Sequence, residues 1–178
     1  AEESGTELNA NQILEFSGIP SSIVTTKNMD YIEAAHELEN GDIDAFFCTA
    51  GLTTTIIEEL ARECDIRLIS IDDRTIEKML SYSNAYSRYT IPAGTYDGQE
   101  EAVNTIGVTS VLVTSDSMSE DLIQQLTSML FEKSKELQYS TSLDLHLDEK
   151  FATSNIPIPF HSGAAKYYEE NGLDVNLQ

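Results

Sequence analysis

Apolar positions along the chain change period several times, and each change marks a predicted element. From Ser4 to Ser17 the spacing is helical, with Leu8, Ile13, Leu14 and Ser17 on the inner stripe. Ser4 or Thr6 can cap this helix, Glu7 lies three residues after Ser4, and Gly18 and Pro20 end it. Ser22 to Thr25 reads as a short strand. Asn28 to Glu39 reads as a second helix, with Ile32, Ala35 and Leu38 inward, Asn28 or Asp30 as cap and Gly41 as stop. The run Ile43 to Cys48 is too short for a helix and predicts a buried strand. Gly51 breaks it, and Thr53 to Arg62 is helical with Ile56, Ile57 and Leu60 facing in. Ile66 to Ile71 predicts another buried strand and Thr75 to Ser83 another helix.

This alternation of helix and strand over the first ninety residues predicts an α/β fold with parallel strands. Tyr86 to Gly98 breaks the pattern. It is aromatic and carries Pro92, Gly94 and Gly98, so it reads as an extended crossover, and the Tyr86–Asn104 stretch is the one plausible boundary. Beyond it come a long strand (Thr105 to Thr114) and a helix from Ser119 to Leu137 with Leu122, Leu126, Met129 and Leu130 on its inner stripe. A short helix (Asp144 to Ala152), an extended stretch (Ile156 to Phe160) and a terminal helix (Ser162 to Asn171) complete the chain. The resulting division is an α/β ligand-binding lobe over 1–91, a crossover over 92–104 and a further segment over 105–178.

Composition narrows the function classes. The chain has 178 residues, enough for one or two small domains, and a hydrophobic fraction of 40%, ordinary for a folded protein. Ten Lys and Arg stand against 31 Asp and Glu, a formal charge of −21. Such a surface repels nucleic acid and anionic lipid, so neither is an expected partner. No apolar run approaches the ~20 residues of a membrane span. Cys48 and Cys64 have no neighbours at metal-ligand spacing; two thiols or one disulfide both fit them, and no metal or cofactor is expected.

Two stretches can carry chemistry. Ser4-Gly5-Thr6 opens a helix, where unpaired amides and the helix dipole can hold a carboxylate or phosphate; Ser4 as a plain cap explains the same residues. Thr49-Ala50-Gly51-Leu52-Thr53-Thr54-Thr55 follows the apolar run and opens the next helix, at the strand end where ligands bind in open α/β sheets. Thr49, Gly51, Thr53 and Thr54 can supply hydroxyls and amides there, or only a capped turn. The tyrosines Tyr82, Tyr86, Tyr89 and Tyr96 can line a cleft or pack a joint. His36 suits a solvated helix face and His161 a structural or capping role. There is no nucleophile elbow or phosphate loop, so catalysis is not expected.

Four stretches together resemble a known family, the TAXI branch of the TRAP transporter solute receptors. They are Ser4-Gly5-Thr6-Glu7-Leu8-Asn9-Ala10, the run from Asn40 to Phe47, Ile91-Pro92-Ala93-Gly94-Thr95-Tyr96, and Ile158 to Tyr168 with its His161-Ser162-Gly163-Ala164 core. The chain departs from the family where Leu52-Thr53 follows Gly51 in place of a proline, and where Ser162 replaces a proline. The resemblance implies type II periplasmic-binding-protein (venus flytrap) lobes with mostly parallel sheets, and family members that begin well before Ser4, so that an N-terminal lobe lies outside these residues. It implies an extracytoplasmic receptor, periplasmic or a cell-surface lipoprotein, that delivers a small carboxylate such as glutamate or 2-oxoglutarate to TRAP permease subunits. Tyr96 joins Ser4, Gly5, Thr6, Thr49, Gly51, Thr53 and Thr54 in the expected ligand site. The same module fused to a signalling protein would sense its ligand instead of transporting it, and an α/β transferase is the remaining alternative.

Overall fold

The computed structural model describes residues 2–140, 147–154 and 156–176. They form two compact units, Ala1–Gly107 and Val108–Gln178. In the first, helix α1 (Gly5–Phe16) starts where Ser4 leaves the extended region and accepts the Glu7 amide at 3.2 Å. Glu7 reaches back to the Glu3 amide at 2.6 Å, so two orphan donors are satisfied together. The helix stops at Gly18, whose φ of 76° lets Ile19 donate to the Leu14 carbonyl at 2.9 Å. Helix α2 (Tyr31–Asn40) is capped by Asp30 and ended by left-handed Gly41, and α3 (Thr55–Glu63) follows Thr54. Helix α4 (Asp73–Tyr82) is capped by Asp72, which takes both the amide and the hydroxyl of Thr75. These helices lie within a few residues of their predicted spans, but Leu8 and Ile32, read as inward-facing, are exposed.

Two strands follow, β1 (Tyr86–Ile91) and β2 (Val103–Val108), and form a two-stranded sheet. Side-chain bonds pair Ser87 with Gly107 and Thr90 with Asn104, a register that only antiparallel strands give. The stretch read as a crossover is therefore strand β1 and the loop that joins it to β2. Ile76, Met79 and Thr75 are fully buried where α4 meets α1 and β1; Ala34, Ala35, Ile57 and Leu60 close the α2–α3 contact.

The other strand predictions come out differently. Ser21–Ile23 is a short 3₁₀ turn, so Ser22 to Thr25 is not a strand. Ile43 to Cys48 and Ile66 to Ile71 join no ladder among the described residues, and no parallel pair forms there. These two segments are tied at their ends instead: Ile43 donates to the Glu37 carbonyl at 3.3 Å, and Ile71 to the Asn104 carbonyl at 2.9 Å. Ile69 is 70% exposed and Phe47 40%. A run of apolar residues encodes an extended chain that can be buried, but not the neighbour that pairs with it. The strand expected to reach Thr114 ends at Val108, leaving Leu112 and Val113 exposed.

The second unit is helical among its described residues: α5 (Glu120–Glu132), α6 (Ser134–Ser140), α7 (Glu149–Ala152) and α8 (Ser162–Glu170). The long helix predicted to Leu137 breaks at Lys133, and residues 144–146 of the short predicted helix lie outside the described residues. Helix α8 crosses α5 at Gly163, where a Cβ would stand 2.8 Å from the Gln124 nitrogen and closer still to the Glu120 carbonyl. That crossing selects the buried face of α5. Ile123 and Thr127 go inward, while Leu122, Leu126 and Met129 of the predicted stripe are exposed. Thr127 satisfies its hydroxyl on the Ile123 carbonyl at 2.8 Å. Phe131 stacks on Tyr167 at 5.6 Å, and Phe160 meets Tyr168 edge-on at 5.5 Å.

Replacing Gly163 with alanine will force α5 and α8 apart and cost about 1–3 kcal/mol, read as a lower urea midpoint. A pH effect follows from Asp72. Its hydrogen bonds from the Thr75 side chain, then the Thr75 amide, hold its carboxyl below the usual range. Its contribution is therefore complete above the unfolded carboxyl pKa and fades as pH falls through the lowered folded value. Asp72→Asn keeps an acceptor at the cap, and acid titrations followed by circular dichroism will show a smaller stability difference from the parent at low pH than at neutral pH.

Candidate functional site

Two of the segments singled out from the sequence meet in the first unit, and a tyrosine joins them. The Tyr31 hydroxyl lies 2.7 Å from Thr6 Oγ1, accepts the Thr49 amide at 3.1 Å and donates to the Thr49 carbonyl at 3.2 Å. Tyr31 can do this because it is the first residue of α2, set in place by the Asp30 cap. A second link runs from the next turn of α1, where Asn9 Nδ2 donates to Thr49 Oγ1 at 3.2 Å. Asn9 Oδ1 in turn accepts from the Tyr86 hydroxyl at 2.9 Å, and Tyr86 also meets the Gln12 side-chain amide. Thr6, Asn9 and Gln12 recur every three residues, so they form one polar row on α1. Burial pushes the Tyr86 hydroxyl pKa up, with the nearby Tyr82 adding to it. Burial also raises the pKa of the Cys48 thiol, and the nearby Tyr31 hydroxyl opposes the rise.

Ser4 does what a cap does, holding the Glu7 amide. Gly5 is exposed, and a Cβ there would meet open space. The start of α1 is therefore accessible beside Thr49. Glu7 puts a carboxylate in the same turn, stabilised by Asn28 first and by the Glu3 amide second, which hold its pKa low; that charge opposes an incoming anion.

The threonines after Gly51 are arranged differently from the open cluster expected. Thr54 Oγ1 donates to the Gly51 carbonyl at 2.5 Å, and Thr53 Oγ1 to its neighbour Leu52 at 2.6 Å. Thr53 adopts a left-handed φ of 58°, unusual for a β-branched residue. Burial raises the pKa of the Tyr96 hydroxyl, and the nearby backbone of Thr53 and Thr54 opposes the rise. Tyr96 thus lies close to the Gly51 turn. The departure from proline after Gly51 falls in this turn.

Other candidates take structural roles. Arg88 is held by Asp73 at 2.6 Å and Glu77 at 2.7 Å. Tyr82 packs edge-on against Phe16 at 5.6 Å and Tyr89 is exposed. Cys48 and Cys64 are free thiols. His161 Nδ1 accepts the Gly163 amide and its Nε2 donates to the Met118 carbonyl, each at 3.1 Å, so it caps α8 as expected of it. His146 lies outside the described residues. A surface depression along α2 is lined by Asp30, Glu33, His36, Glu37 and Asp42, too acidic for an anion. Sequence reasoning missed Tyr31, Asn9 and Gln12; the i, i+3 spacing of polar side chains on α1 was the available signal for the last two.

The start of α1, the start of α2 and the Thr49 segment thus meet in one polar cluster. The NMT1-like family matches residues 1–172, and the chain belongs to that family. The family is part of the periplasmic solute-binding superfamily, whose members are typically extracytoplasmic and bind a small ligand for a transporter partner. No helix among the described residues is long and apolar enough to cross a membrane.

The Tyr31 link can be tested directly. Tyr31→Phe removes one oxygen and leaves the Thr6 hydroxyl and both backbone groups of Thr49 without it. The expected loss is about 1 kcal/mol of stability, with faster hydrogen exchange at the Thr49 amide by NMR.

Proposed function

We propose that this chain is a receptor of the TAXI branch, which captures a small carboxylate, glutamate or 2-oxoglutarate in kind, and presents it to a TRAP-type permease. The observation that carries the reading is the junction of the α1 start with Thr49. Gly5 and Thr6 offer first-turn amides with the positive end of the helix dipole, and Thr49 offers a hydroxyl a hydrogen-bond chain away. Amides and a hydroxyl suit a carboxylate. They act locally, whereas dispersed surface acids are screened beyond about 8 Å at physiological salt.

The fold proposed with this function is a venus-flytrap lobe with a mainly parallel sheet. Ile43 to Cys48 and Ile66 to Ile71 precede helices α3 and α4 in the chain, the order in which the strands and helices of such a sheet alternate. Binding without turnover is part of the proposal, because the site gathers hydroxyls and amides around no activated nucleophile. Titration calorimetry with a panel of dicarboxylates and amino acids tests it. Saturable binding of glutamate, 2-oxoglutarate or a close analogue is the expected result; heat from none of them would dismiss the reading.

A further inference from the structure

Three glycines in this chain follow an Asn or Asp: Asn40-Gly41, Asp97-Gly98 and Asn171-Gly172. Such pairs can react within themselves, because glycine has no Cβ to keep its amide nitrogen away from the preceding side chain. All three pairs are exposed, and the glycines share a left-handed φ of 76°, 74° and 78° in chain order. Access and backbone handedness therefore do not separate them. Hydrogen bonding does.

Gly41 and Gly172 close helices. The Gly41 amide donates to the Leu38 carbonyl at 3.1 Å, and the Asp42 amide to the Glu37 carbonyl at 2.8 Å. The Gly172 amide donates to the Glu169 carbonyl at 3.0 Å, and the Leu173 amide to the Tyr168 carbonyl at 2.9 Å. Asn171 is held a second time by its side chain, whose Nδ2 donates to the Tyr167 carbonyl at 2.8 Å. In both helix ends the nitrogen that would attack is engaged in a cap. The cap must open before that nitrogen can turn toward the side chain.

Asp97-Gly98 is the tip of the loop between β1 and β2. Gln99 clamps the base of this loop. Its amide donates to the Tyr96 carbonyl at 3.1 Å and its carbonyl accepts from the Gly94 amide at 2.8 Å. Its side chain donates to the Pro92 carbonyl at 3.1 Å and the Glu101 carbonyl at 2.9 Å. Among the described residues, neither the Gly98 amide nor the Asp97 carboxyl takes part in a hydrogen bond. A Cβ on Gly98 would meet open space, so nothing packs against the pair either.

We propose that Asp97-Gly98 is a site of spontaneous isoaspartate formation, and that the helix caps shield Asn40-Gly41 and Asn171-Gly172 from the same chemistry. The Gly98 amide nitrogen bonds to the Asp97 carboxyl carbon. One carboxyl oxygen leaves as water, taking the amide hydrogen and the carboxyl proton. Water then adds to either carbonyl of the resulting succinimide and reopens it. One opening restores aspartate; the other leaves a backbone that runs through the side-chain carbon. At Asn40 or Asn171 ammonia would leave instead. The isoaspartate lengthens the chain between Tyr96 and Gln99, so the bond that closes their turn is lost or displaced. Tyr96, which lies close to the Gly51 turn, is the neighbour that moves.

Ageing the full chain in warm neutral buffer, folded or in guanidinium chloride, tests this by peptide mapping with electron-transfer fragmentation, which distinguishes isoaspartate from aspartate. Isoaspartate will accumulate at position 97 of the folded chain within about threefold of its rate in denaturant. Its formation in denaturant alone would overturn the proposal. Asp97→Asn gives all three pairs the same leaving group. In that folded variant, position 97 will deamidate more than about tenfold faster than Asn40 and Asn171, while in guanidinium chloride the three will agree within about threefold. Equal or slower reaction at position 97 in the folded variant would overturn the shielding by the caps. So would a difference just as large in denaturant, because neighbouring residues rather than the fold would then set the order.

Discussion

A single phenol oxygen ties the first unit together at its functional end. Tyr31 Oη meets the α1 side chain of Thr6 and both backbone groups of Thr49. Beside it, Asn9 donates to Thr49 Oγ1, a second bond between α1 and the end of the Ile43–Cys48 segment. The segment itself has no ladder among the described residues to hold its backbone, so side chains take over what strand neighbours do elsewhere. Three elements that are separate in sequence, at residues 6, 31 and 49, share one hydrogen-bonded node.

Electrostatics set the terms on which such a site works. The chain carries a charge of −21, and Glu7 lies in the first turn of α1. Arg88, Lys27 and Lys166 are engaged by neighbouring carboxylates. An anion of the kind proposed would meet dipoles at the start of α1, its amides and the hydroxyl of Thr49, which act over a few ångströms and carry no net charge.

The second unit shows how one small residue selects a face. Leu122, Leu126 and Met129 have the spacing of a buried stripe, yet Ile123 and Thr127 are the residues covered. The close approach at Gly163 decides this, since it lets the α8 backbone pass over Ile123 and Gln124. His161 fixes the beginning of α8 from one side of its ring and the Met118 carbonyl from the other. The phenol of Tyr167 donates to Glu149 at 2.7 Å, joining α7 to the same cluster, and burial, more than that bond, pushes its pKa upward.

Local chemistry made much of this legible in advance. Caps at Ser4, Asp30 and Ser119 and left-handed glycines at positions 18 and 41 act within one helical turn, so the sequence alone determined where most helices begin and end. It also marked Thr6 and Thr49 as polar groups at helix and strand ends. Tertiary structure decided the rest, because those outcomes depend on residues far apart in the chain: the absence of a ladder for Ile43–Cys48 among the described residues, the face of α5 that is covered, and the choice of Tyr31 to join Thr6 to Thr49. A cap needs only its own neighbours, whereas a strand or a polar node needs a partner that only the folded chain brings near.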